Sequence, residues 1–90
     1  MKQQFNGITG ITYNGRNQAT LLAIKDKNGY KSDKWATYLQ LKQLGRVVKK
    51  DQHGTAIVKF VQIETKDKND KVVTDTAARH YTVFNFDQTT

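Results

Sequence analysis

The feature that most restricts the fold is a change in the spacing of apolar residues, from helical before Gly45 to strand-like after it. Residues 56 to 65 (AIVKFVQIET) and 79 to 86 (RHYTVFNF) are rich in β-branched and aromatic residues, which favour strands. The charged stretch 66 to 71 (KDKNDK) between them is typical of a turn. Because the segments before Gly45 follow helical spacing, we predict an α+β domain. In it, two helices precede a small, mostly antiparallel sheet of about three strands.

The first 28 residues divide into an irregular arm and a helix. Residues 1 to 16 are rich in glycine and asparagine, and they predict a loop or flexible arm with a short extended piece at 11 to 13. Asn17 stands ahead of an apolar helical run and is predicted to be its N-cap. The helix is expected to end before Gly29, where a left-handed residue commonly follows a helix.

The second helix has clear signals at both ends. Thr37 and Gln40 have the spacing of a capping box, in which each side chain binds the other residue's backbone N–H. Gly45 is predicted to be the left-handed residue that ends the helix. The apolar stripe expected to face the core consists of Tyr38, Leu41 and Leu44.

Alternation predicts the faces of the strands. Residues 56 to 65 are apolar on both faces near their middle, which favours a central strand. In the last strand one face carries His80, Thr82, Phe84 and Phe86, and the other carries Tyr81, Val83 and Asn85. Phe84 and Phe86 are expected in the core.

Length and composition restrict the class of protein. Ninety residues make one small domain, 1–90. The chain has no cysteine, which excludes disulfides and thiolate metal sites. It contains no apolar run long enough to cross a membrane, and the polar start (MKQQ) is unlike a signal peptide. We therefore expect a cytoplasmic protein with no membrane partner.

Positive charge is concentrated around one aromatic-bearing segment. The net charge is +7, and residues 25 to 50 carry eight Lys or Arg against two Asp. Residues 51 to 90 carry five basic and six acidic groups. Trp35 and Tyr38 lie inside the basic segment. Aromatic rings beside concentrated positive charge are typical of surfaces that bind single-stranded nucleic acid.

Four motifs occur in a recognisable order. They are N-x-x-T-G-x-x-Y-x-G-x-N at 6 to 17, W-x-T-Y-x-Q at 35 to 40, VKKDQHGT at 48 to 55, and YTVFNFDQ at 81 to 88. This order resembles the N-terminal domain of ArdC-type antirestriction proteins, which also occurs in conjugative primases. The third and fourth motifs are similar to the family's V-R-K-G-E-K-G-T and Y-T-V-F-N-V-D-Q. The resemblance covers nearly the whole chain.

The resemblance implies a single-stranded DNA-binding domain of plasmids and other mobile elements. In full-length family members a metallopeptidase-like domain follows, but the sequence contains no H-E-x-x-H, and His53 and His80 are too far apart to form that pair. Two departures from the family pattern stand out. Asn14 replaces a basic residue, and Asp51 replaces a glycine, so Asp51 is expected either to adopt the left-handed conformation or to close the turn differently.

The candidate nucleic-acid-binding residues are Tyr13, Arg16, Asn17, Tyr30, Lys31, Lys34, Trp35, Tyr38, Lys49 and Lys50. Trp35 is open to two interpretations, a core anchor or a stacking platform for a base. For Tyr38 a core ring with a hydroxyl reaching a phosphate is favoured, and Asn17 is also explained as an N-cap. Lys49, Lys50 and Arg16 are expected to contact phosphates.

The sequence offers no catalytic arrangement. Glu64 is the single glutamate, and no nucleophile, histidine and carboxylate share a convincing spacing. We therefore predict a non-enzymatic module, without cofactor or metal, that binds single-stranded DNA with little sequence specificity. One alternative is a small inhibitor of a host restriction or defence nuclease acting by protein contact. Another is a domain that only positions a catalytic domain.

Overall fold

The four-stranded sheet has the order β1-β2-β4-β3 in the computed structural model, which describes residues 3–90. The elements are β1 (Phe5–Asn6), α1 (Gly15–Asn28), β2 (Lys34–Thr37), α2 (Tyr38–Gln43), β3 (Thr55–Lys66), β4 (Val72–Asn85) and a 3₁₀ helix (Phe86–Gln88). β1 runs parallel to β2, and the other pairs are antiparallel. The α+β class and the two helices are confirmed. The sheet is mixed and has one strand more than predicted, and β2 lies between the helices.

The core lies between α1 and one face of the sheet, here called the α1 face. It contains Leu21 from α1, Trp35 from β2, Ile57 from β3 and Val83 from β4. Trp35 belongs to β2 and pairs with Asn85. Since β2 is held between β1 and β4, Trp35 is wholly buried on the α1 face, and its neighbour Ala36 is buried on the opposite face.

α1 begins earlier than predicted. Its N-cap is Asn14, whose side chain makes no capping hydrogen bond. The N-cap prediction for Asn17 is wrong, because Asn17 lies within the first turn and binds β3. Its Nδ2 donates to the Val58 carbonyl (2.6 Å), and its Oδ1 accepts from the Val58 N–H (3.0 Å). The predicted end is confirmed, since Gly29 follows with φ of 68°.

α2 confirms its predicted ends but not its predicted stripe. The capping box of Thr37 and Gln40 is present, and Gly45 has φ of 83°. Leu41 is buried, whereas Tyr38 is 60% and Leu44 54% exposed. Since α2 has only six residues and starts directly after β2, a single turn meets the sheet and the rest of the stripe faces solvent.

β3 and β4 form a long hairpin. Their register runs through twelve cross-strand pairs, from Thr55–Val83 to Lys66–Val72. β3 lies at the sheet edge, so the prediction of a central strand is wrong. Of the fourteen residues of β4, only 83 to 85 pair with β2. Because no third strand within residues 3–90 continues beside the rest of β4, the outer hairpin projects from the core.

The two phenylalanines at the end of the chain also differ from expectation. Val83 and Asn85 are buried on the α1 face, but Phe84 and Phe86 are only half-buried and not in the core. They lie on the opposite face, which no long helix covers within residues 3–90.

Candidate nucleic-acid interface

Basic side chains from two segments, β2 and the loop after α2, meet at the 3₁₀ helix. Two of them lie over the Phe86 ring: Lys34 Nζ is 6.0 Å from the ring centroid, and Arg46 Cζ is 4.9 Å from it. Arg46 is fixed further, since its Nε donates to Thr89 Oγ1 at 2.7 Å. Cations over an aromatic ring are attracted by its negative face. The ring therefore holds two positive charges at one end of the sheet.

Asp87 brings two more lysines to the same place. Its carboxylate accepts hydrogen bonds from the backbone N–H groups of Lys31 and Ser32. Its carbonyl accepts from Lys49 Nζ at 3.3 Å. We call the group Lys31, Lys34, Arg46 and Lys49 the 3₁₀ cluster. Lys50 follows Lys49 in the chain and is exposed.

A groove of about 350 Å³ opens beside Gln88 of the 3₁₀ helix, between the end of α1 and the loop before β3. Its lining includes Tyr30, Asn28, His53 and Gln88. Gln88 Nε2 donates to the His53 carbonyl at 2.8 Å, which holds the loop against the 3₁₀ helix. Asp51 has φ of 64°, so it adopts the left-handed conformation that the missing family glycine would have supplied.

Tyr30 is half-buried at the wall of the groove. Its ring meets Trp35 edge-on, with centroids 6.2 Å apart and an interplanar angle of 76°. Partial burial raises the pKa of the Tyr30 hydroxyl, and the nearby Asp87 carboxylate raises this pKa further. The hydroxyl therefore stays protonated at neutral pH and is able to donate a hydrogen bond to an anion.

Trp35 itself is wholly buried, with 0% exposure. Its Nε1 donates to Gln4 Oε1 at 2.7 Å. The indole has no exposed face for a base, so of the two interpretations the core anchor is correct. Tyr38 takes the opposite position: its ring is exposed at the start of α2, and the preference for a core ring is wrong.

The other candidates lie away from the 3₁₀ cluster. The Tyr13 hydroxyl accepts from Asn6 Nδ2 at 3.3 Å, and burial raises the pKa of Tyr13, partly opposed by this hydrogen bond. The Asn17 amide is hydrogen-bonded to the backbone of Val58. Arg16, next to it, is exposed near the middle of the sheet edge. Val58 pairs with His80, five residues before the end of β4 at Asn85, which corresponds to about 17 Å along the strand.

The predicted residues therefore form two groups and not one cleft. Lys31, Lys34, Lys49, Lys50 and Tyr30 gather around the 3₁₀ helix, while Arg16, Asn17 and Tyr13 lie near the start of α1. Arg46 was not among the predicted residues. Arg46 directly follows the left-handed Gly45, and its backbone N–H donates to the Leu41 carbonyl at 2.9 Å, which fixes its position after α2.

Neither a metal-binding group nor a membrane span is found in the described part of the chain. Among residues 3–90 no three His, Asp or Glu side chains gather in a way that could hold a metal ion. No helix in the same range has the length and apolar character to cross a bilayer.

The fold and the basic surface define a small α+β domain with a projecting hairpin. Residues 2–85 match the family model for the N-terminal domain of the anti-restriction factor ArdC. The chain therefore belongs to this family, as its motifs indicated.

Two solved structures are similar to the chain, both of the antirestriction protein ArdC from plasmid R388. The metal-free structure matches with a TM-score of 0.88 and 35% identity, over 98% of this chain and 32% of that chain. The Mn(II)-bound structure matches with a TM-score of 0.79 and 36% identity, over 97% of this chain and 34% of that chain. The chain thus spans about a third of the length of ArdC. A comparison with curated protein sequences finds no match.

Proposed function

We propose that this domain is a non-enzymatic module that binds single-stranded DNA with little sequence preference, in an antirestriction or DNA-transfer function of a mobile element. The observation that carries the proposal is the convergence of Lys31, Lys34, Arg46 and Lys49 on the 3₁₀ helix beside an open groove. The family membership supports the antirestriction context.

The geometry suits an unpaired strand in two respects. The lysines of the 3₁₀ cluster provide positive charge for consecutive phosphates without reading sequence. The groove presents the half-buried ring of Tyr30, and a base that is not paired is free to enter such a groove and stack. In a duplex the bases are paired and stacked inside the helix, so only its phosphates would contact the domain.

The direct test is a titration of labelled oligo-dT against a hairpin duplex at several salt concentrations. With about four phosphates neutralised, log affinity should fall with log salt at a slope near −3. Preference for oligo-dT with this slope supports the proposal. Equal affinity for the duplex, or an affinity that does not depend on salt concentration, would overturn the proposal.

A pair of matched variants locates the site. Lys49→Gln/Lys50→Gln removes two charges beside the 3₁₀ helix, and should make the slope shallower by about 1.4. Lys68→Gln/Lys71→Gln removes the same charge at the exposed hairpin tip and should leave the slope unchanged. Equal effects of the two variants would show that only net charge matters.

One observation favours a second candidate function, inhibition of a host defence nuclease by direct contact. α2 and the loop after it expose Tyr38, Leu39, Leu44 and Val47, each more than half exposed. Exposed apolar groups so close in sequence are a feature of protein-binding surfaces. A pull-down from host lysate treated with nuclease separates the two functions, because a DNA-mediated association is lost and a protein contact survives.

A further inference from the structure

A second group of side chains suited to nucleic acid lies at the base of the hairpin. On the α1 face, successive cross-strand pairs are Thr55–Val83, Ile57–Tyr81 and Lys59–Arg79. Directly opposed residues of an antiparallel pair point to the same face. Since Val83 and Ile57 are buried in the core, the next positions outward mark the point where the core ends and solvent begins.

Tyr81 occupies this boundary. It lies opposite the buried Ile57, yet it is 41% exposed. β2 ends at Thr37, which pairs with Val83, so no strand flanks Tyr81 on the outer side of β4. The ring is therefore supported on one side by the core and open on the other, as a stacking platform requires.

Lys59 and Arg79 are directly opposed beside Tyr81. Like charges in such a pair repel each other and destabilise the hairpin. Within residues 3–90 neither side chain makes an ion pair with a carboxylate. Both are exposed. The fold therefore keeps two adjacent positive charges at a cost in stability.

Arg16 is a third cation, carried by the first turn of α1. The Asn17 amide binds both backbone groups of Val58, the residue between Ile57 and Lys59, so the start of α1 is fixed beside this pair. Arg16 is exposed, and the first turn of α1 contains no acidic residue. Lys59 and Arg79 thus lie beside one exposed aromatic ring, and the start of α1, which carries Arg16, is fixed against the same stretch of β3.

We infer that Tyr81, Lys59, Arg79 and Arg16 form a second contact site for single-stranded DNA, here called the hairpin-base site. This inference rests on the proposed function. A base stacks on Tyr81, while the flanking phosphates lie against the cations. The site is separate from the 3₁₀ cluster, since β4 continues for four residues beyond Tyr81, or about 13 Å, before the 3₁₀ helix begins.

Two sites on one domain predict a dependence on oligonucleotide length. A strand that reaches both sites binds the second one intramolecularly, and its overall affinity rises without any new contact. Oligo-dT of about 16 nucleotides should therefore bind more tightly than oligo-dT of about 4, beyond the gain expected from the number of overlapping sites. Removing Tyr81 should affect the long oligonucleotide more than the short one, because the short one retains the 3₁₀ cluster.

The aromatic test compares two variants of the hairpin. Tyr81→Ala should weaken binding of the long oligo-dT by about 5- to 150-fold, the range that loss of one stacked base implies. Phe60→Ala is the matched control, because Phe60 is 74% exposed on the opposite face of the same hairpin and should leave affinity unchanged. Tyr81→Phe keeps the ring and should bind like the parent chain, which separates loss of stacking from loss of folding.

The charge test uses Lys59→Gln/Arg79→Gln against the tip variant Lys68→Gln/Lys71→Gln. The first should make the salt slope shallower by about 1.4, and the second should not change it. Removing the repulsion should also raise the thermal unfolding midpoint of the first variant. Weaker binding by a more stable protein is the result that a purely structural role for this pair does not give.

The outcomes distinguish the two proposals. If Tyr81→Ala and Lys59→Gln/Arg79→Gln bind like the parent chain while Lys49→Gln/Lys50→Gln binds more weakly, the hairpin-base site is wrong and the proposed function stands. If the parent chain does not bind oligo-dT, both are wrong. If only the hairpin variants lose affinity, the hairpin-base site is correct and the 3₁₀ cluster is not the binding site.

Discussion

At the scale of single residues, Gln4 decides how the amino-terminal segment packs. It has 0% exposure, and its Nε2 donates to Asp33 Oδ1 at 2.7 Å while its Oε1 accepts from the Trp35 indole. Its backbone N–H donates to Gln18 Oε1 at 2.6 Å. One polar side chain therefore joins the segment before β1 to the central core residue of β2.

We predict that Gln4→Leu lowers the free energy of unfolding by about 1–3 kcal/mol, because it leaves the buried Trp35 N–H without an acceptor. Urea denaturation followed by Trp35 fluorescence measures this change. Gln3→Leu, at the neighbouring exposed position, is the control and should change stability by less than about 0.5 kcal/mol. Equal effects at the two positions would contradict the role of Gln4.

Tyr13 gives the fold a dependence on high pH. Burial raises its pKa in the folded state above that of the unfolded chain, so the folded state holds the phenolic proton more tightly. The resulting stability is complete below about pH 10 and is lost as pH rises through the folded pKa. Tyr13→Phe should reduce the loss of thermal stability between neutral and strongly alkaline pH. An unchanged alkaline loss would show that Tyr13 does not contribute to it.

At the scale of elements, Asn17 fixes α1 on the sheet. We predict that Asn17→Ala lowers the free energy of unfolding by about 1–3 kcal/mol, because both the Val58 N–H and its carbonyl lose their partner. Asn14→Ala tests the alternative. Asn14 is the N-cap, but its side chain makes no capping bond, so its loss should cost less than about 0.5 kcal/mol. Chemical denaturation of both variants shows whether the hydrogen bonds of Asn17 to β3 or the N-cap at Asn14 contributes more to stability. A larger effect at Asn14 would contradict the structure.

The 3₁₀ helix is a second element whose position matters for function. A Cβ added at Gly7 would lie 2.5 Å from Cζ of Phe86, the ring that holds Lys34 and Arg46. The loop after β1 thus packs directly against the aromatic centre of the 3₁₀ cluster. The charges of this cluster depend on packing between segments that are distant in sequence.

At the scale of the whole molecule, the chain is elongated. Its extents are 53 × 29 × 23 Å and its Cα radius of gyration is 16.1 Å, against about 12 Å for a compact domain of this length. The difference comes from the outer hairpin, from Val61–Ala77 to Lys66–Val72, which lies beyond the pairs covered by α1.

We predict that replacing residues 62 to 76 by a two-residue turn leaves the core folded, because no residue of the core cluster is removed. Small-angle scattering should show the radius of gyration falling toward about 12 Å. Trp35 fluorescence should still report a cooperative unfolding transition. A chain that loses this transition would show that the outer hairpin is part of the core.

Local signals in the sequence predicted the local structure well. The capping box of Thr37 and Gln40, the helix terminators Gly29 and Gly45, and the turn at 66 to 71 are confirmed, since each depends on neighbouring residues alone. The order of the four motifs also identified the family. The prediction for Asn17 was wrong because an asparagine before an apolar run is compatible with two roles, an N-cap of the helix and a hydrogen-bond partner of a neighbouring strand. Only the position of β3 distinguishes them.

The sequence by itself therefore determined the class of fold, the carboxyl-terminal ends of both helices, the family and the basic character of the middle segment. Only the tertiary structure decided which aromatic rings are buried and which cations meet. Trp35 lies inside because β2 is enclosed between β1 and β4, and Tyr81 lies at the surface because β2 ends before reaching it. The physical reason is that burial depends on sheet order and strand length, which pairing between distant segments sets and local sequence does not.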